Sequence, residues 1–218
     1  MSDAQELTPT DRTKVRRLAE RGSFELDLIN TIIDEALICH VGFTADGKPV
    51  VIPTIHTRVD DQLYLHGAPA NHMLRSISDG IDACVTITLI DGLVLARSAF
   101  HHSMNYRSVV VFGRATVVDD PDEKRRAFDA LVEHVVRGRS VDARPPTDAE
   151  MRKTLLVKLP ITEASAKVRT GGPIDDAEDL GLPIWAGQLP LSTAYASPVA
   201  EPGITAAVPA YVTGYRRP

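Results

Sequence analysis

The chain reads as a mainly β protein with helices beside the sheet, and three observations predict this class. Short apolar runs follow one another with almost nothing between them over residues 37–66, which is the pattern of an antiparallel meander. Two more runs, 93–100 and 108–118, are rich in β-branched residues, including Val109, Val110 and Val111. Helical spacing is confined to two clear stretches, 23–36 and 121–136.

The chain has 218 residues and a net charge of -5, so it can bury a substantial core and lacks the overall basic balance of a nucleic-acid binder. Its two cysteines, Cys39 and Cys84, lie in separate apolar runs without metal or redox spacing, which fits reduced thiols in a cytoplasmic protein. No apolar stretch approaches the roughly 20 residues of a membrane span, and the polar N-terminus has no signal-peptide core. Three parts are expected: a polar arm over 1–22, a domain over 23–191, and a Pro/Ala-rich tail over 192–218.

The arm carries Arg12, Lys14, Arg16, Arg17 and Arg21, read either as a solvated face or as a reach over an anionic ligand. Ser23 is the expected N-cap of the first helix, whose stripe is Leu28, Ile29, Ile32, Ile33 and Ala36. Asp46-Gly47 marks a hairpin between strands 37–43 and 50–58, and Gln62 begins a third strand. Pro53 cannot donate to a ladder, so it marks an edge, a bulge or a backbone facing a ligand. The loop 67–72 leads into a short helix capped by Asn71, and its exposed N–H groups offer an anion site, with His72 as a further donor. Capping alone is the competing account of Asn71.

Strand 81–90 places Cys84, Thr86 and Thr88 on one face and Val85, Ile87 and Leu89 on the other, with Asp91-Gly92 expected as the next turn. Between the runs 93–100 and 108–118 lies a polar knot of His101, His102, Ser103, Met104, Asn105, Tyr106 and Arg107. A plain turn would use Gly, Asp or Pro, so the knot is read as a site at a strand junction or as a solvated hairpin tip. Pro121 starts an amphipathic helix whose expected buried stripe is Phe128, Leu131, Val132 and Val135. A brief helix at 148–152 and strands over 155–159 and 161–169 follow. Trp185, the only tryptophan, either plugs a gap in the core or flanks a flat ligand; the tail beyond Tyr195 is expected to be extended or to clasp a partner subunit.

Over about residues 14–191 the blocks CHVGF, PVVIPT, LYLHG, DGLVLARSAFHHSMNYRSVVVFGRA and WAGQLPL resemble the pyridoxamine 5'-phosphate oxidase-like FMN-binding split barrels, in the nitroimidazole-resistance-type branch. The resemblance implies a six-stranded antiparallel split barrel with flanking helices, a homodimer, and FMN at each subunit interface. Carried over by position, Val51, Ile52, Pro53 and Thr54 run beside the isoalloxazine edge, and His66, Gly67, Asn71 and His72 form the phosphate end. Ser103, Asn105, Tyr106 and Arg107 close on the ring or ribityl chain, and Trp185 is the late aromatic beside the flavin. The implied function is electron transfer from a nicotinamide or similar donor to a small organic acceptor. No catalytic acid or base is named; His101, His102 and Tyr106 are the candidates for proton exchange. Arg107 is read either as a fixed cation near flavin N1 and the C2 carbonyl or as a surface ion pair. Two other readings stay open: a flavin-storage module without turnover, and a barrel taking deazaflavin or haem, for which His40, His56, His66, His72, His101 or His102 could be an axial ligand. No metal ion, nucleic acid or membrane is expected as a partner.

Overall fold

The computed structural model describes residues 5–217; residues 1–4 of the expected arm and residue 218 of the expected tail lie outside them. Two antiparallel sheets share one core. The elements in order are β1 (Gly22–Ser23), α1 (Leu26–Glu35), β2 (Ile38–Ala45), β3 (Lys48–Ile55), β4 (Thr57–Val59), β5 (Gln62–Gly67) and α2 (His72–Ser78). There follow β6 (Asp82–Leu95), β7 (Ser103–Arg114), β8 (Thr116–Val117), α3 (Pro121–Val135), α4 (Asp148–Arg152), β9 (Leu155–Pro160), β10 (Ala164–Arg169), β11 (Gly187–Pro190) and α5 (Ala210–Thr213).

The larger sheet runs β1-β10-β7-β6-β2-β3 with β11 added to β6, and the smaller runs β4-β5-β9-β8. The sheets are not closed on each other, which is the split form of a barrel. Alternation decides which face is covered: Cys39, Val41, Phe43, Val85, Ile87, Val109 and Val111 point inward and are buried. Helix α1 lies across this core, with Ile29, Ile32 and Ile33 fully buried, each stabilising by about 1.5–3 kcal/mol. Burial pushes the Cys39 thiol up to about 12, so it behaves as a small hydrophobe. No helix among the described residues is long and apolar enough to cross a membrane.

Several expectations need correction. Helix α1 begins at Leu26, because β10 recruits the expected cap: Ser23 pairs with Ala166 as part of β1. Asp91-Gly92 is a bulge inside one long strand, not a turn, since β6 shifts register against β7 between Ile90 and Gly92 and continues to Leu95. A Cβ on Gly92 would stand 3.1 Å from the Leu189 carbonyl oxygen, so the close approach of β11 requires glycine there. Most of the polar knot is likewise strand: β7 starts at Ser103, leaving His101 and His102 in the connection. The stripe of α3 is only half-buried. Ala127 is its buried residue, while Val135 is exposed at the helix end. Trp185 plugs no gap in the core, being 69% exposed.

The arm is not a free solvated segment. Leu7 N–H donates to Phe24 (2.9 Å), Arg12 pairs with Glu163, and its guanidinium lies 5.0 Å from the Phe112 ring centroid. The tail folds back on its own chain, with Tyr195 edge-on to Tyr215 and Arg217 docked at the end of α1.

Candidate functional site

The first group of predicted residues lies on the open edge of the larger sheet. Among the described residues β3 pairs with β2 alone, so the backbone groups along its other edge have no strand partner. Pro53 sits opposite His40 and Val51 opposite Gly42, which turns both outward; Val51 is 63% exposed. The edge account of Pro53 therefore holds, and a flat group could lie along this strand without competing with a ladder.

The second group surrounds the start of α2. His66, next to last in β5, sits opposite Leu156 and meets the Phe128 ring edge-on at 6.3 Å. Burial lowers its pKa, so it enters as a neutral hydrogen-bonding group rather than a cation. The Asn71 side-chain oxygen accepts from the Leu74 N–H at 3.0 Å, which caps α2 and accounts for the amide's carbonyl. A Cβ on Gly67 would come 3.3 Å from the Asn71 side-chain nitrogen and 3.0 Å from Leu74, so glycine lets the cap approach. His72 is exposed, its ring 6.2 Å from that of Phe43.

The third group is β7 with the connection before it. Arg107 Nε donates to Asp91 at 3.0 Å, and its terminal nitrogens bind Glu35 (2.8 Å) and Asp91 (2.8 Å). Both acids raise the pKa of the guanidinium, Glu35 most, and together they outweigh its charge. Of the two readings of Arg107, these contacts are those of an ion pair, built from two acids. Asn105 is buried, donating to Gln188 at 2.7 Å and accepting from Arg169. It thereby ties β7 to β10 and β11. Tyr106 faces outward between Ile90 and Arg169. In the connection, Asp176 lies 3.0 Å from His101 and raises its pKa, favouring imidazolium. His102 holds its Nδ1 3.0 Å from the Ser98 carbonyl oxygen, so Nδ1 carries the proton and Nε2 is left as an acceptor. The Trp185 ring covers Gly187, where a Cβ would stand 3.0 Å from it.

These groups do not meet in one chain. From β3 to β7 the order passes through β2 and β6, three strand spacings or about 14 Å. Beyond the β6 bulge, where β11 takes the place beside β6 that β2 holds earlier, the outward face carries an uncovered apolar row. Leu189, Leu93 and Met104 stand opposite one another on β11, β6 and β7, and are 55%, 39% and 49% exposed.

Sequence reasoning missed a cavity of about 1080 Å³ between the end of α1, the β6 bulge and the tail. Its lining includes Glu35, Asp91 and Arg107 and, from the tail, Tyr195, Tyr215 and Arg217. No local spacing signals it, because its walls come from segments up to about 180 residues apart; the only hint was an arginine beside an apolar strand.

The pyridoxamine 5'-phosphate oxidase family model matches residues 26–168. With the split pair of sheets, that match places the chain in the pyridoxamine 5'-phosphate oxidase-like flavin-binding split-barrel family. It is similar to the flavocytochrome Anf3 from Azotobacter vinelandii, at 34% identity over 96% of this chain and 99% of that one, with a TM-score of 0.89. A FAD- and haem-binding protein from Mycobacterium smegmatis is 35% identical, covering 89% of this chain and 96% of that one, with a TM-score of 0.84. A 5-nitroimidazole antibiotic resistance protein from Bacteroides thetaiotaomicron is 28% identical over 66% of this chain and 83% of that one, with a TM-score of 0.56. No curated protein matches.

Proposed function

We propose that this protein is a flavocytochrome, binding a flavin and a haem and passing electrons from a nicotinamide-type donor to a small acceptor. The observation that carries the reading is the reach of the likeness. The nitroimidazole-resistance relative covers 66% of the chain, whereas the flavocytochrome covers 96% and so takes in most of the tail as well. FMN was the flavin expected from the family; FAD is the better proposal, because a relative 35% identical over most of the chain binds FAD together with haem.

The residues present fit both groups. The unpaired edge of β3 at Val51, Ile52, Pro53 and Thr54 suits a flavin edge, and Asn71 and His72 at the start of α2, with His66 at the end of the smaller sheet, are the groups proposed for its phosphate. For haem, His40, His72 and His102 are exposed, and His102 presents the bare Nε2 that an iron ligand needs, with a backbone carbonyl fixing its tautomer. When bound, the flavin would supply two-electron chemistry and the haem one-electron chemistry. The chain's own residues orient and enclose: Asn105 and Arg169 hold β7 rigid, Trp185 offers a flat apolar wall, and His101 with Asp176 can hold or release a proton.

The homodimer belongs to the same proposal. The separation of β3 from β7 leaves two half-sites, and the uncovered row of Leu93, Met104 and Leu189 is the kind of surface a second copy would cover. A visible spectrum and cofactor release from purified protein test the reading. FAD with a haem Soret band is expected; FMN alone, with no haem retained after reconstitution, would overturn it. Failure of a nicotinamide donor to reduce the bound flavin would favour a storage role.

A further inference from the structure

The strongest unexplained feature is the seat of Arg217. Its guanidinium donates to the carbonyls of Asp34 (3.0 Å), Glu35 and Ala36 (3.4 Å) at the end of α1, and to His134 O at the end of α3. The last carbonyls of two helices have no partner inside their own helices, and both ends carry partial negative charge. One cation therefore joins two helix ends, and residues 213–217, which it anchors, form one wall of the 1080 Å³ cavity.

Behind this anchor are two imidazoles. The Arg217 terminal nitrogen lies 3.1 Å from His134 Nε2 and 3.3 Å from its Nδ1, and arginine can only donate, so the contact favours a neutral imidazole that accepts through its unprotonated nitrogen. The His134 ring is 4.8 Å from that of His56, which is fully buried with Nε2 held 2.9 Å from the Ile33 carbonyl oxygen. Among the described residues His56 Nδ1 has no partner. The acids nearby are engaged: Asp34 by Arg58 (2.9 Å), Glu133 by the backbone N–H groups of Gly138 (2.6 Å) and Ser140 (2.8 Å), and Glu35 by Arg107 (2.8 Å). The other charged and titratable groups around His134 are Arg58, Arg137, Tyr215 and Arg216, with Arg217 itself. None of these offers a free carboxylate to a new imidazolium.

We propose that the C-terminal segment is a lid on the cavity, latched by Arg217 and released when His134 takes up a proton. Protonation removes the acceptor that Arg217 uses and sets two cations face to face. Burial, then the neighbouring His56 and the docked Arg217, hold His134 at about 3. Coupling is reciprocal, so to the extent that Arg217 contributes, a protonated His134 weakens its docking. Asp142 accepts from Tyr211 at 2.7 Å and tethers the middle of the segment, so release at Arg217 swings the end without detaching the tail.

The test is hydrogen exchange of the full chain at pH 7.5 and 5, corrected for the intrinsic rate, reading residues 212–215 with β5 as the control for global unfolding. If release returns His134 to an ordinary imidazole pKa, the opening constant rises up to about thirtyfold between these pH values. Arg217→Gln should be open already at pH 7.5 with little pH response, and His134→Gln should stay protected at both. Exchange independent of pH in the wild type would overturn the proposal, as would an Arg217→Gln protein that keeps the wild-type protection and slope. Arg217 is only half-buried and meets the helix ends through backbone carbonyls, so Arg217→Gln removes no core side chain and decides the matter even if His134→Gln fails to fold.

Discussion

Arg107 shows how a residue's partners redirect its role. An arginine before an apolar strand announces a bound anion, but the sequence cannot say that both anions are the protein's own carboxylates, Glu35 and Asp91. Arg107→Met is expected to destabilise the fold by about 1–3 kcal/mol, since two half-buried carboxylates lose their partner. The flavin potential should stay nearly unchanged. A denaturant midpoint alongside a potentiometric titration checks both. His56 makes the second prediction. Burial holds its folded pKa below the ordinary value of about 6.5, so below that pH the unfolded chain binds a proton that the native state refuses. Stability is therefore full above about pH 6.5 and falls as the medium becomes more acid, by at most about 1.4 kcal/mol per pH unit for this group. His56→Asn should flatten that slope in urea midpoints measured from pH 7 to 5.

Local propensity and tertiary pairing compete in the elements, and the outcomes divide cleanly. Asn71 before α2, Asp120 before Pro121 and Thr147 with Glu150 at α4 all cap the helices whose starts the sequence marks, because capping is satisfied within four residues. Ser23 fails as a cap because β10 offers it a strand partner. Asp91-Gly92 fails as a turn because β11 and β7 flank β6 there and carry it through. Gly92→Ala tests this account. The added methyl meets the Leu189 carbonyl, so β11 should loosen, with a loss of about 1–2 kcal/mol and faster exchange at Leu189 and Leu191. Equal protection of those amides in the variant would count against it.

At the level of the assembly, the uncovered outward face makes a prediction of its own. Met104→Lys places a charge in the middle of the row formed with Leu93 and Leu189. A dimer closed over this face should dissociate at micromolar concentration while the thermal midpoint of the monomer changes by no more than a few degrees. Sedimentation at several concentrations reads the result, and an unaltered dimer would move the interface elsewhere. The histidine content made haem conceivable from the sequence, and the proposal of haem rests on a likeness to a flavocytochrome over 96% of the chain.

What the chain determined by itself is whatever short-range chemistry decides: period-two burial in β2, β6 and β7, the Asp46-Gly47 hairpin, the helix caps, and Pro53 at an edge. The blocks that carry the family resemblance belong here too, since they lie mostly in these strands and their connections. Only the tertiary structure decided that β3 and β7 stand three strands apart, that Arg107 is paired with two carboxylates, and that Arg217 sits between two helix termini. Those facts depend on contacts between segments as distant as Asp34 and Arg217, and chain connectivity places no constraint on such pairs until the core has packed.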